Sequence, residues 1–314
     1  MNARATSNAR ARDDDALQAA LDALAARLAP RAGSLAVTLF GDVIAPRGNR
    51  VWLGGLVGVM REFGLNDRQV RTALFRLGRE GWLEARPSGR RSFYAFSDWG
   101  RRQYARAAER IYAAAPPSWD GRWTLVSNVA LAPDTRDELR RRLGWLGFGA
   151  LAGGLLAHPC VPRAVVDETL RELACAAQVV VWEARAALDA PLAALVRASW
   201  RLDELAARWQ EFLARFAPFE TLLAAAGGAV PRDAFVLSVL LVHEYRRILL
   251  NSAELPPELL PGDWPGHAAR DLAARLYQRL HVAAAAHAGA ALANDDGPLP
   301  APDAAFAQRF GGLR

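Results

Sequence analysis

Lysine is absent from this chain of 314 residues, so all 39 basic side chains are arginine. At whole-chain scale that reads as coding bias rather than chemistry. Cysteine is scarce as well. Cys160 and Cys175 are too few for a disulfide framework or a zinc cluster, and both are expected as reduced thiols in a cytoplasm. Even the longest apolar runs, such as Ala234 to Val242, fall well short of the roughly 20 residues that span a bilayer. The N-terminus is arginine-rich and then acidic, with no apolar signal region. These absences lead to the expectation of a soluble, cytoplasmic chain with no membrane partner. Among the five histidines, only His243-Glu244-Tyr245-Arg246-Arg247 invites comparison with a zinc-hydrolase helix, which needs a second histidine where Arg247 stands. His158, His267, His281 and His287 show no ligand spacing. There is no Ser-His-Asp grouping, glycine-rich phosphate loop or redox motif with usable spacing. No metal, cofactor or catalytic role is expected.

What the chain does have is apolar bulk and positive charge gathered in one place. Hydrophobic residues make up 52% of it, enough for a sizeable core, and the length suits two or three domains. From Arg31 to Asp120 there are 15 arginines and 8 acids, a balance of +7. The whole chain is +6, so everything outside that window nets −1. The excess therefore sits where it would draw in a polyanion.

Within that window, Ser34 to Trp99 reads as helix, short strand, helix, tight turn, helix, then two strands around a basic tip. This is the order of a winged helix-turn-helix, which lays its third helix in the DNA major groove. After Gly64-Leu65, Asn66 can cap that helix. Val70, Ala73, Leu74 and Leu77 recur at helical spacing and must face the core. The opposite face then carries Arg68, Thr72, Phe75 and Arg79, with Gln69, Arg71 and Arg76 on its flanks. Groups with several donors suit phosphates and guanine edges. Trp82 to Arg86 and Ser92 to Phe96 read as paired strands, joined by Pro87-Ser88-Gly89-Arg90-Arg91, where Arg90 and Arg91 would touch the sugar-phosphate backbone. The plainer alternative is a solvated charged helix beside an ordinary hairpin.

Elsewhere, residues 1–13 read as disordered. A short helix follows, with Leu17, Leu21, Leu24 and Leu28 along one face until Pro30 stops it. After Pro116-Pro117 the pattern becomes strand (Arg122–Ser127), helix (Asp134–Trp145), strand (Gly149–Ala157), helix (Ala164–Ala174) and strand (Val179–Trp182). That series points to a small ferredoxin-like sheet. From Pro191 the chain is helical, with helices at Leu202–Phe216, at Asp233–Leu250 (apolar side Phe235, Val239, Leu240 and Val242) and at Ala268–Ala291. A proline-punctuated loop, Leu255 to Gly266, precedes the last of them, and the tail beyond Asn294 reads as frayed. The fold class expected is α+β and mainly helical. Its parts are an N-terminal extension (1–30), a winged helix-turn-helix domain (31–115), a central ferredoxin-like domain (118–187), a helical C-terminal effector and dimerisation domain (190–294) and a tail (295–314).

Five stretches, taken together and in order, resemble the PaaX-type repressors of phenylacetic acid catabolism. They are SLAVTLFGDVI, the run from Val51 to Arg102, WDGRWTLV, VLLVHEYRRILL and PPELLPGDWPG, spread from Ser34 to Gly266. The resemblance implies a dimer that binds a palindromic double-stranded DNA operator and lets go when an aryl-acetyl-CoA thioester, typically phenylacetyl-CoA, is bound. The residues assigned to DNA are then Asn66, Arg68, Gln69, Arg71, Thr72, Arg76, Arg79, Arg90 and Arg91. Those assigned to the effector are His243, Tyr245, Arg246, Arg247 and Trp264. Guanidinium forks suit a CoA diphosphate and ribose phosphate, and an indole can stack on an adenine or aryl ring. Against this stand blander roles: His243 bonded to its helix neighbours, the arginines paired with Glu244, Glu258 or Asp263, and Trp264 as a plug over a core.

The resemblance also likens the central domain to a small CRISPR adaptation nuclease, whose relatives hold a metal with an acid near the end of the first strand. Here Ser127 and Asn128 stand at that place, and Asp134 comes only at the next helix. A metal-dependent nucleic-acid-processing enzyme remains the alternative reading, set back by that departure. A winged helix that binds protein is a third.

Overall fold

The computed structural model describes residues 2–128 and 130–313, with side chains from residue 12 onward apart from residue 152. The chain divides into two compact units, each assembled from distant segments. The first takes residues 1–114, 211–246 and 268–314, and the second residues 115–210 and 247–267.

In the first unit, α1 runs Asn2–Leu28, so the segment expected to be disordered is helical from its second residue. Its alanines and arginines are strong helix formers, which explains the longer helix. It ends where Ala29 takes φ +37° ahead of Pro30. Leu17, Leu21 and Leu24 are buried, and α1 packs on α10, described below. Next comes α2 (Ala32–Leu39), which runs on through a π turn (Phe40–Ile44) and a 3-10 turn (Ala45–Arg47). Then follow β1 (Val51–Trp52), α3 (Leu53–Arg61), α4 (Asp67–Arg79), β2 (Leu83–Ser88), β3 (Arg91–Phe96) and α5 (Asp98–Ile111). The three strands form an antiparallel sheet in the order β1-β3-β2. The hairpin is longer than the sequence pattern implied, because Pro87 and Ser88 continue β2, leaving Gly89-Arg90 as the turn. Pro87 is tolerated there because β2 is an edge strand with no ladder partner on its outer side.

The second unit holds β4 (Arg122–Ser127), α6 (Pro133–Trp145), β5 (Gly149–Ala150), β6 (Leu155–His158), α7 (Arg163–Glu172) and β7 (Val180–Arg185). The expected single strand from Gly149 to Ala157 is instead a hairpin, β5 and β6. Gly153 (φ +71°) and Gly154 (φ +76°) reverse the chain in a conformation that other residues rarely adopt. Four antiparallel strands in the order β5-β6-β4-β7 give the βαββαβ ferredoxin-like arrangement. Val126, Leu139, Leu143, Leu156, Val166 and Leu170 fill its core. Helix α8 (Ala190–Ser199) follows, capped by Asp189.

Helix α9 (Leu202–Phe216) leads back into the first unit, which continues with α10 (Pro218–Ala225), α11 (Pro231–Leu250) up to Arg246, and α12 (Pro265–Ala291) from Ala268. The apolar side expected of α11 is only part of what it buries. Every residue from Asp233 to Tyr245 is buried, the mark of a helix at the centre of its neighbours. The tail is ordered as well. β8 (Ala293–Asn294) and β9 (Gly297–Pro298) form a small hairpin, and Leu299, Phe306 and Arg309 are buried. The frayed end expected from composition is thus docked, held by the apolar pair and one buried charge.

Candidate nucleic-acid interface

Asn66 is extended (φ −86°, ψ 163°) and starts α4 with a reciprocal capping box. Its Oδ1 accepts the Gln69 N–H at 2.9 Å, and the Gln69 Oε1 accepts the Asn66 N–H at 2.9 Å. The oxygens of these two expected DNA residues are therefore spent on fixing the helix start, a contribution of about 1 kcal/mol. Asp67 adds a negative charge in the first turn and accepts from Arg61 Nε at 2.8 Å and Nη2 at 2.9 Å, tying α3 to α4.

Val70, Ala73, Leu74 and Leu77 are buried as the spacing required, which turns Arg68, Arg71, Thr72, Phe75, Arg76 and Arg79 to solvent. Among the described residues, Arg68, Arg71 and Arg79 have no ion-pair partner, whereas Arg76 Nε lies 3.4 Å from Glu80 Oε1. In the wing, Arg90 occupies the turn. Arg91 begins β3, with its guanidinium 5.1 Å from the Trp52 ring centroid, a stacked position rather than a second free tip. A rigid helix with three uncompensated guanidinium groups beside a basic turn can meet phosphates and base edges together.

The expected effector residues do not all belong to one unit. His243, Tyr245 and Arg246 lie in the first, and Arg247 and Trp264 in the second. Arg246 donates through Nε to Thr38 Oγ1 at 2.7 Å and through Nη2 to the Ser34 carbonyl at 2.6 Å. His243 Nδ1 is 2.9 Å from the same Thr38 hydroxyl. These two side chains thus clip α11 to α2. Tyr245 is buried, with its ring 5.8 Å from that of Phe212. Arg247 is exposed, and its carbonyl accepts from Asn251 Nδ2 at 2.7 Å. Trp264 is buried, with Gly266 packed so closely on its indole that a Cβ there would fall 2.4 Å from Nε1. Replacing Thr38 by valine keeps its shape and removes the shared hydroxyl. This change is expected to cost about 1–3 kcal/mol in urea unfolding, since a part-buried guanidinium loses an acceptor.

Sequence reasoning missed a heavily bonded cluster at the π turn. The Asp42 carboxylate is buried and accepts from the hydroxyls of Tyr112 (2.6 Å) and Tyr277 (2.9 Å) and from Arg309 Nη1 (2.7 Å). The signal was there, since Asp42 is the one charged side chain in the run from Leu35 to Ile44. Its partners lie up to 267 residues away, beyond any local pattern. Burial pushes the Tyr112 and Tyr277 hydroxyls well above their usual range. For Arg309 burial opposes the charge, but Tyr112, Tyr277 and Asp42 outweigh it and keep the group protonated.

In the second unit, Asn128 follows β4 fully buried, with neither side-chain polar atom hydrogen-bonded among the described residues, and burial pushes the Cys160 thiol up to about 11. No three His, Cys, Asp or Glu residues gather as a metal site among the described residues.

Three family models match successive segments: PaaX-like protein over residues 31–100, the PaaX protein central Cas2-like domain over 116–196, and the PaaX-like protein C-terminal domain over 200–290. The transcriptional repressor PaaX of Escherichia coli (strain K12) is 43% identical over 284 residues, covering 89% of this chain and 90% of that protein. The chain belongs to the PaaX family. In PaaX terms, the first matched segment contains α2 to β3, the second the ferredoxin-like sheet, and the third α9 to α12. The fold class is thus α+β and mainly helical, as the sequence led one to expect, and the curated homologue is a repressor, not an enzyme. A solved structure, the uncharacterized protein Rv0674 from Mycobacterium tuberculosis, aligns with 73% of this chain and 90% of its own at 26% identity and a TM-score of 0.45. Among the described residues of this PaaX homologue, no helix is long and apolar enough to cross a membrane.

Proposed function

We propose that this PaaX homologue is a dimeric repressor that binds a palindromic operator of a phenylacetate-type catabolic operon through α4 and the wing, and is released by an aryl-acetyl-CoA thioester. The observation that carries the DNA half is the capped α4 with Arg68, Arg71 and Arg79 exposed and without counterions among the described residues. A chain that is nearly neutral elsewhere has its positive excess here. In a dimer, two such helices one DNA turn apart, about 34 Å, read the two half-sites.

The effector half draws support from the clip between α11 and α2. Arg246 and His243 bond to Ser34 and Thr38, on the first helix of the DNA-binding segment. In this reading a CoA phosphate competes for Arg246, frees α2 and shifts the population towards a form with the wrong helix spacing. Affinity for the operator falls in proportion to the ligand's preference for that form. A gel shift on the DNA upstream of the gene itself, titrated with acyl- and aryl-CoA esters, tests both halves. Retardation by the protein alone and release by phenylacetyl-CoA but not by acetyl-CoA is the expected result. Release by none of the esters removes the effector half, and no retardation removes the DNA half.

A further inference from the structure

The most exposed apolar side chain on α4 is Phe75, at 67% exposure. It stands in the middle of the face already assigned to DNA. Arg71 and Thr72 lie one turn before it and Arg79 one turn after, all exposed. Gly78, three residues on, leaves the ring uncovered on that side, for an added Cβ there would meet nothing nearer than the Leu83 carbonyl at 3.8 Å. Among the described residues no aromatic ring and no guanidinium stacks on Phe75. The other large apolar residues of α4 are buried. Packing within this chain therefore gives no reason for a phenyl ring at this position.

The ring also makes no sense as part of a purely electrostatic surface. A helix that only neutralised phosphates would gain nothing from a phenyl group between its arginines. The major groove offers one apolar feature among its donors and acceptors, the C5-methyl group of thymine. We propose that Phe75 is a specificity-determining residue that packs on a thymine methyl group of the operator, fixing a T·A pair between the positions approached by Arg71 and Arg79. The proposal rests on the reading of α4 as the DNA-contacting helix and adds what that helix selects. Arginine forks favour guanine, and the phenyl ring supplies the A·T discrimination that they lack.

The test removes the methyl group from the DNA. The fragment upstream of the gene is synthesised once with thymine and once with uracil in its place, and both are titrated with the wild-type chain, Phe75→Ala and Arg71→Ala. One buried methyl group corresponds to about fourfold in affinity. The wild-type chain is expected to bind the uracil fragment at least about fourfold more weakly. Phe75→Ala should weaken binding to the thymine fragment by a similar factor and no longer distinguish the two fragments. Arg71→Ala should weaken binding to both while keeping their ratio. Phe75 is exposed, so the alanine variant should melt with the wild type, which excludes loss of fold as the cause. Equal wild-type affinity for the two fragments overturns the proposal, as does an undiminished preference for thymine in Phe75→Ala. In either case retardation of the thymine fragment leaves the DNA-binding reading intact, whereas retardation of neither fragment overturns that reading together with the proposal.

Discussion

Replacing Asp42 by alanine is expected to destabilise the first unit by about 3–5 kcal/mol, the usual cost of stripping one partner from a buried ion pair. Arg309 is 7% exposed by side chain, and its Nη1 donates to the Asp42 carboxylate, the Asp42 carbonyl and the Tyr277 hydroxyl. Its guanidinium also lies 4.0 Å from the Tyr112 ring centroid and 4.4 Å from that of Phe306. Both side chains of the pair are buried, so removing Asp42 takes from the Arg309 charge the carboxylate that faces it. Urea unfolding reads the loss directly. Limited proteolysis should show that the segment from Asp303 onward is released first, because Arg309 is its main buried anchor. The double variant Asp42→Leu with Arg309→Met should recover most of the loss, since an apolar pair of similar volume carries no desolvation cost. A single variant as stable as wild type would show that the cluster contributes no net stability.

That cluster also shows why some of the molecule was legible in the sequence and some was not. Helix α4 could be read in full, because its cap, its buried stripe and its charged face are all local and repeat at helical spacing. The ferredoxin-like sheet could be read in outline, but the β5–β6 hairpin could not, because Gly153-Gly154 lies inside one apolar run. Helix α11 misled in a different way. Its sequence allows a one-sided helix, and only the packing of distant segments around it buries every residue from Asp233 to Tyr245. The tail looked frayed because alanine, proline and aspartate dominate it, while its anchoring depends on two hydroxyls and a carboxylate supplied by other segments. The effector residues were the hardest. Arginine beside histidine on a helix suits a phosphate equally well as it suits the Ser34 and Thr38 oxygens, and sequence spacing alone does not choose between them.

The largest expected effects on DNA binding come from two arginines that act differently. Arg68 sits in the first turn of α4, exposed, on the end of the helix that enters the groove in this fold. If it forks onto a guanine edge, Arg68→Ala should cost about 1–3 kcal/mol, roughly 5- to 150-fold, and relax selectivity at one base position only. Arg90, in the turn between β2 and β3, is proposed to meet the sugar-phosphate backbone, which carries no sequence information. Arg90→Ala should weaken specific and non-specific DNA alike and reduce the slope of log affinity against log salt by about one. Titrations of both variants against the upstream fragment and a scrambled fragment at several salt concentrations separate the two roles. The ratio of specific to non-specific affinity should fall in Arg68→Ala and hold in Arg90→Ala, while the salt slope should flatten most in Arg90→Ala. Wild-type binding by both variants would show that neither α4 nor the wing touches DNA, and the positive excess between Arg31 and Asp120 would then need another partner.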